Sequence, residues 1–422
     1  MLGGRHRAEV CVRVGIFHPS FEQVGGAELV AARHATFLRQ HGIEVRIATF
    51  AFDPTRWQEH LGDIPVDCVV DRWITDAILA WSRLTKMQRR GRRASHYLRD
   101  CDLVVAHNHP CSAMLGASTI RARKVWYCEE PPRALQLRGS NPSLLAHVES
   151  ADNANRPDAC VAFAKQLQEH DQEIAQRRSL HARQMFDLAS IRKLDEVCAN
   201  SEFTRDNVQR IYGRHVAAVM PPMVQFPGRA PQRSGLDRSG LKILVVSRLE
   251  PLKNIDTVLR GFAQFQRAVC PSAQVHVVGE GRHRQRLQEL AHQLCPEGAI
   301  RFHGYLTDAE VDALGRACDV FALLAIDEPF GMVFPEAAAN GLLLIGPDHG
   351  GPMEILDGGR LGWVCDAFSP AAFAARLEEI WALDDQTVNA KRAEADRACR
   401  ARYAPEVVGP QLLQLLGHSV AI

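Results

Sequence analysis

The residues richest in chemistry lie in Asp327-Glu-Pro-Phe-Gly-Met-Val-Phe-Pro-Glu336, which continues Ala-Ala-Ala-Asn-Gly341. Glu328 precedes a glycine-containing turn, and Glu336 follows eight residues later at the start of a predicted helix. Gly331 lets the backbone approach a ligand closely. After Phe330, the N–H groups of Gly331, Met332 and Val333 then face an anion at a helix N-terminus. Carboxylates accept hydrogen bonds from sugar hydroxyls, so one on each side of a phosphate site suits a sugar joined to a nucleotide. Spacing alone also permits a plainer reading, with Glu336 as a first-turn acid and Glu328 as surface charge. Arg248 and Lys253 lie just past a predicted strand. Arginine can engage two oxygens at once, and lysine acts as a point charge. Together they suit a pyrophosphate whose bond to a sugar is breaking, or else they are ordinary loop charges. Gly25-Gly26 occupies the first strand-to-helix turn, and His107-Asn-His109-Pro110 follows another strand. Both histidines are candidates to line a cleft. Gly279-Glu-Gly281 runs on into Arg282, His283 and Arg284, so the third glycine of a dinucleotide fingerprint is missing. No P-loop pattern occurs either, and nicotinamide and P-loop chemistry are unsupported.

These residues need elements to hold them. Strand patterns fall at 12–17, 43–47, 68–70, 103–106, 125–128, 196–199 and 216–220. Helical spacing follows the first of them at Ala27, Val30, Ala31, Ala35 and Leu38. Ser201 is placed to cap a helix that Gly213 ends. A turn-rich stretch at 221–240 reads as a linker. The rhythm then restarts, with strands at 242–247, 274–278, 300–303, 320–324 and 342–346. Thr307 and Glu310 form a capping box, and Ser369-Pro370 is a cap with a first-turn proline. Alternating strands and helices predict two α/β domains, each a doubly wound parallel sheet, facing a cleft. Ligands in such sheets bind beyond the carboxyl ends of the strands. The expected boundaries are 1–222 and 223–402, with a last helix near 403–422 returning to the first domain.

Composition narrows the function classes. Lys plus Arg is 50 and Asp plus Glu is 49, a net charge of +1, which argues against a general nucleic-acid binder. The chain is 46% hydrophobic and 23% charged, the balance of a globular protein. Its 12 cysteines show no paired short spacings, so buried or free thiols are expected rather than zinc or disulfides. No signal peptide or membrane-spanning run is expected, which places the protein in the cytoplasm. Trp73, Ile74, Ile78, Leu79, Trp81 and Leu84 are followed by Lys86, Arg89, Arg90, Arg92, Arg93 and Arg99. That mixture suits a solvated basic helix, a phosphorylated acceptor, or peripheral contact with an anionic membrane at its inner face.

The Glu-x7-Glu segment resembles the signature of the retaining glycosyltransferases of family 4, which have the GT-B fold. Val245-Val-Ser-Arg-Leu-Glu-Pro-Leu-Lys253, Val277-Val-Gly-Glu-Gly281, Phe302-His-Gly-Tyr-Leu306 and Gly350-Gly-Pro-Met-Glu354 are similar to its segments in the same order. Gly25-Gly26-Ala-Glu28 and Ala199-Asn-Ser-Glu-Phe203 fit in the first half. The resemblance implies a metal-independent transfer of a hexosyl group from a nucleotide sugar, with UDP- or GDP-sugars favoured, to a hydroxyl of a glycan, lipid-linked or small acceptor. Surface-polysaccharide or glycolipid assembly is the expected setting. No cofactor is implied, the donor being a substrate. Arg248 and Lys253 would hold the diphosphate and Glu336 the ribose. Glu328, Phe330, Gly331, Met332 and Val333 would orient the donor sugar. Tyr305 would flank the base, and Gly25, Gly26 and Gly279 would contact the donor. The acceptor would enter near His107, His109 and Glu129. The family usually carries histidine where this chain has Glu129. A carboxylate there would hydrogen-bond a sugar hydroxyl or stabilise positive charge at the anomeric carbon, and would not imitate a neutral imidazole. The alternatives are a nucleotide-sugar epimerase, a phosphorylase, or a catalytically silent protein of the same fold.

Overall fold

The computed structural model describes residues 12–69, 83–150, 157–176, 178–226, 228, 235–415 and 417. The first sheet comprises β1 (Arg13–Phe17), β2 (Glu44–Thr49), β3 (Val66–Cys68), β4 (Leu103–His107), β5 (Arg123–Cys128), β6 (Glu196–Ala199) and β7 (Ala218–Val219). Its order is β3-β2-β1-β4-β5-β6-β7, and its pairings are parallel. In β4, Leu103 and Val105 join the core on one face, while Val104 and Ala106 join the core on the other. Helices cover both faces, so such strands are apolar at every position.

The second sheet comprises β8 (Lys242–Val246), β9 (Gln274–Val278), β10 (Ile300–Gly304), β11 (Val320–Ala322), β12 (Leu343–Pro347) and β13 (Trp363–Cys365). Its order is β10-β9-β8-β11-β12-β13, again parallel. Ile243 and Val245 face one core and Leu244 the other. Strand order reverses between β1 and β4 in the first sheet and between β8 and β11 in the second. A crevice opens beyond the strand ends at such a reversal, and it is where ligands bind.

The expected caps form. Ser201 accepts from the Thr204 N–H, and Gly213, at φ 61°, ends the Glu202–Tyr212 helix. Thr307 and Glu310 close their capping box, and Ser369 accepts from the Ala372 N–H. Several strands differ from expectation. β3 ends at Cys68, where the pattern pointed to 68–70, and β7 shrinks to two residues. β11 stops at Ala322, and the chain then enters the loop that carries Asp327. β13 was not expected; it is a three-residue edge strand paired with β12. The described cysteines are free and mostly buried.

Of the basic stretch, Trp73, Ile74, Ile78, Leu79 and Trp81 lie outside the described residues. The Arg83–Tyr97 helix that follows buries Met87 and Ala94 in the core that holds Val104 and Ala106, and Arg90 stacks over Phe50 at 5.3 Å. No helix among the described residues is long and apolar enough to cross a membrane.

Two segments cross between the sheets. Leu144, Cys160 and Phe163 are buried in one cluster with Leu249, Ile255 and Leu259 of the second half. The Pro405–Leu415 helix returns to the first half, where Val408 and Leu412 join the core of β1 and β2. Its Gly409 lies against Phe37, where an added Cβ would overlap the ring at 2.0 Å. The halves are thus laced together by buried apolar surface. Phe163→Ala is expected to destabilise the protein by about 3–5 kcal/mol. Chemical denaturation would show it as a lower midpoint.

Candidate active site

At the second switch point the backbone places the cations. Gly279 sits at φ 125°, and an added Cβ there would lie 1.9 Å from the Ser247 carbonyl oxygen. The Leu249 N–H donates to the Glu280 carbonyl at 2.8 Å. The Gly279-Glu-Gly281 turn therefore packs backbone to backbone on the loop bearing Arg248, which is exposed. Lys253 ends the short Pro251–Lys253 turn. The next residue, Asn254, is buried and donates to the carbonyls of Leu324 and Ala367 at 3.0 and 2.6 Å. That anchor aims Lys253, whose Nζ lies 2.5 Å from Glu328 Oε2. Burial pushes the Glu328 carboxyl up, but Lys253, Arg133 and Arg248 pull harder and hold it below its ordinary value. Glu328 is therefore ionised.

The loop around Glu328 is tightly held. Asp327 is buried at φ 48°, and Arg133 of the first half donates to its carbonyl at 3.3 Å. Gly331 sits at φ 94°, which a side chain would resist. Phe330 is buried with its ring edge against Tyr403, 5.3 Å between centroids. Met332 and Val333, both partly exposed, open the Val333–Ala339 helix, and Glu336 follows in its first turn. Burial raises Glu336 to about 7; Arg33 of the first half opposes the rise, while Asp308 and Asp312 add to it. Tyr305, just beyond β10, is 73% exposed and open to stacking.

The first switch point faces this loop. Gly25 leads, in extended backbone, into the Gly26–Gln40 helix. An added Cβ on Gly26 would lie only 3.9 Å from Met332 Sδ across the cleft. Burial raises Glu28, in the same first turn, and Arg248 opposes the shift from the other half. Glu129 follows β5 and is 7% exposed; its Oε1 is 3.0 Å from His107 Nδ1, and its Oε2 has no protein partner. Burial, with Glu28 and Glu130 nearby, raises Glu129 well above the ordinary carboxyl value. Burial lowers His107 to about 3. Both shifts favour the uncharged forms, and so a neutral hydrogen bond over an ion pair.

One expectation needs correction. His107 does not line the cleft: it is fully buried, its ring packed with those of His34 and Tyr127 at 5.3 and 5.2 Å. It meets the cleft only through Glu129. His109 stands 3.3 Å from the fully buried Asp187 of the Arg178–Ile191 helix. Of the other predicted residues, Gly25 and Gly26 follow β1, Glu129 follows β5, Arg248 and Lys253 follow β8, Gly279 follows β9, Tyr305 follows β10, and Glu328 to Glu336 follow β11. Sequence reasoning missed Arg33, Arg133 and Glu28 as site residues. Glu28 lies in a quoted motif and Arg133 closes the segment that carries Glu129, whereas Arg33 carries no local pattern; both arginines act across the cleft.

Two facing doubly wound sheets with their switch points opposed define the GT-B fold. The chain matches the family described as Glycosyltransferase Family 4 over residues 24–225 and that described as Glycosyl transferases group 1 over residues 229–398. The two matches follow one another and take in most of the sequence, and the chain belongs to this glycosyltransferase family. It is 28% identical over 229 residues to the D-inositol 3-phosphate glycosyltransferase of Corynebacterium kroppenstedtii, covering 50% of this chain and 51% of that protein. The chain spans about half the length of the curated relatives it matches. Among solved structures, Anabaena Alr3699/HepE in complex with UDP-glucose aligns at TM-score 0.67 and 18% identity, covering 96% of this chain and 99% of that one. WaaG, a glycosyltransferase involved in lipopolysaccharide biosynthesis, aligns at TM-score 0.64 and 16% identity, covering 96% and 100%.

The Glu336 shift has a sign that can be tested on the free protein. A carboxyl raised on folding is penalised once it must ionise, so its contribution to stability falls as pH rises from 4.5 through about 7. Glu336→Gln, which stays neutral, is expected to raise Tm at pH 8. The gain should shrink to nothing as pH falls toward 4.5. Thermal melts of both proteins across that range check it.

Proposed function

We propose that this protein transfers a hexosyl group from a nucleotide sugar to an acceptor hydroxyl, with retention at the anomeric carbon. The observation that carries the reading is the cation set around Glu328. Lys253 touches its carboxylate, and Arg248 and Arg133 act on it from the two sides of the cleft. Fixed cations at a water-poor site stabilise charge as it develops on a leaving diphosphate. In the donor complex Arg248 and Lys253 hold the two phosphates, and Gly279 keeps their loop in place. Glu336 accepts from the ribose hydroxyls and Tyr305 stacks on the base. Glu328, with the backbone of Phe330, Gly331, Met332 and Val333, orients the sugar. Gly25 and Gly26 close on it from the other half.

Bond making and breaking need no protein nucleophile in this reading. The acceptor oxygen attacks the anomeric carbon as the bond to the phosphate oxygen breaks, and that oxygen takes the acceptor proton. Retention follows from attack on the face that the phosphate leaves. Glu129, which burial biases toward its protonated form, hydrogen-bonds the acceptor hydroxyl. The first half, to about residue 222, receives the acceptor, and 223–402 holds the donor. The UDP-glucose in the related Anabaena structure favours a UDP-sugar here. WaaG supports an acceptor on a surface polysaccharide or glycolipid. The Arg83–Tyr97 helix, with the stretch before it, would then meet an anionic membrane face from the cytoplasm.

Nucleoside diphosphate release from UDP-, GDP-, ADP- and dTDP-glucose tests the assignment. Lys253→Ala and Glu328→Ala should each lower turnover by about 100-fold, the scale of losing one transition-state contact. Glu336→Ala should weaken donor binding by about 10-fold, roughly the worth of a hydrogen bond to a charged group. Near-normal turnover in all three variants would sink the site.

A further inference from the structure

A carboxylate outside the donor site bonds directly across the cleft. Glu354 lies in the second half, at the end of the Gly350-Gly-Pro-Met-Glu354 loop. Its Oε1 accepts from the Phe203 N–H at 2.8 Å, and its Oε2 accepts from the Glu202 N–H at 3.0 Å. Both donors open the Glu202–Tyr212 helix of the first half. The first N–H groups of a helix have no partner within it, and their dipoles favour an anion. Ser201 satisfies the Thr204 N–H, and Glu354 satisfies the two ahead of it.

The same helix turn is tied to both proposed site carboxyls. Ser201 Oγ donates to the Pro329 carbonyl at 2.6 Å, one residue beyond Glu328. Thr204 Oγ1 donates to the Glu129 carbonyl at 3.3 Å. On the other side, the Gly351 N–H donates to the Glu328 carbonyl at 2.8 Å. An added Cβ on Gly350 or Gly351 would lie 2.7 Å from the Glu328 oxygen or 2.3 Å from the Pro329 oxygen. The Glu354 loop is therefore stacked backbone on backbone against the Glu328 loop. Arg402 donates to the Glu354 carbonyl at 3.2 Å and anchors its far end. A shift of Glu354 would move the helix turn that holds Glu129 relative to the loop that holds Glu328.

We propose that Glu354 is a positioning residue for the transfer step: by clasping the 202–203 amides it fixes Glu129 of the first half against Glu328 of the second. The clasp touches neither donor nor acceptor. It sets the distance between the halves at which the reacting groups meet, and misplacement by an ångström is costly in such chemistry. The inference rests on the proposed roles of Glu129 and Glu328.

The test uses the full chain and whichever of UDP-, GDP-, ADP- or dTDP-glucose the wild-type protein turns over. Glu354→Ala should lower kcat by about 10-fold or more while the donor Kd moves by less than about threefold. Hydrogen exchange at the Glu202 and Phe203 amides should quicken in the same variant. Glu354→Gln keeps an acceptor oxygen but loses the charge, so it should recover part of both effects. Ser201→Ala, which cuts the second tie, should lower kcat in the same way and guards against misfolding of the first variant. Unchanged kcat with faster amide exchange would overturn the positioning role, and so would equal losses in kcat and donor affinity. Unchanged amide exchange in Glu354→Ala would overturn the clasp itself. Wild-type protein that turns over none of the four donors would overturn the function reading and the catalytic role together. The exchange measurement still decides the clasp in that case.

Discussion

The contact between Lys253 and Glu328 is the interaction on which the cleft depends. A carboxylate removed from water costs several kcal/mol unless its charge is matched nearby. Here it is matched by Lys253 from its own half and by Arg133 from the other. Much else exists to hold that match. Asn254 pins the turn beneath Lys253, Gly279 gives up its side chain so that the Arg248 loop can sit close, and Arg133 ties the Asp327 carbonyl to the first half.

The first half solves the opposite problem. Beneath its switch point lies a layer of neutral polar rings, with His18, His34 and His107 all buried. Burial drives His18 and His107 down to about 3 and His34 well below its ordinary value. Glu129 rests on this layer and is driven the other way, toward its protonated form. Glu328 and Glu129 are thus set apart by their surroundings: cations hold Glu328 toward its charged form, and burial over imidazoles pushes Glu129 toward its neutral one. Environments that push two titratable groups apart give them different roles.

Much of this was legible in the sequence because the information was local. The strand at 274–278 and the caps at Ser201, Thr307 and Ser369 each follow from residues within one turn of each other. The two switch points followed from the alternation of strand and helix. The Glu-x7-Glu spacing and the Gly279 turn marked the second site because each places its residues within a single loop. What stayed hidden was contact over long separations. The Glu354 bonds span 151 and 152 residues, and the Arg133 bond to Asp327 spans 194. No periodicity records such pairs. His107 was misjudged for a related reason: the sequence puts it at a strand end but cannot show that Glu129, 22 residues on, lies above it. Strand β13 escaped because three residues give too short a pattern.

If fixed protein cations, rather than a metal ion, receive the diphosphate of a nucleotide sugar, donor binding needs no divalent ion. Calorimetric titration of the intact protein with UDP-, GDP-, ADP- and dTDP-glucose in EDTA tests it most directly. The expected result is saturable one-to-one binding of a sugar nucleotide of one base, weakening as salt is added and unchanged when Mg2+ replaces EDTA. Folded protein that binds none of the four in EDTA, or that binds only when Mg2+ is supplied, would contradict it.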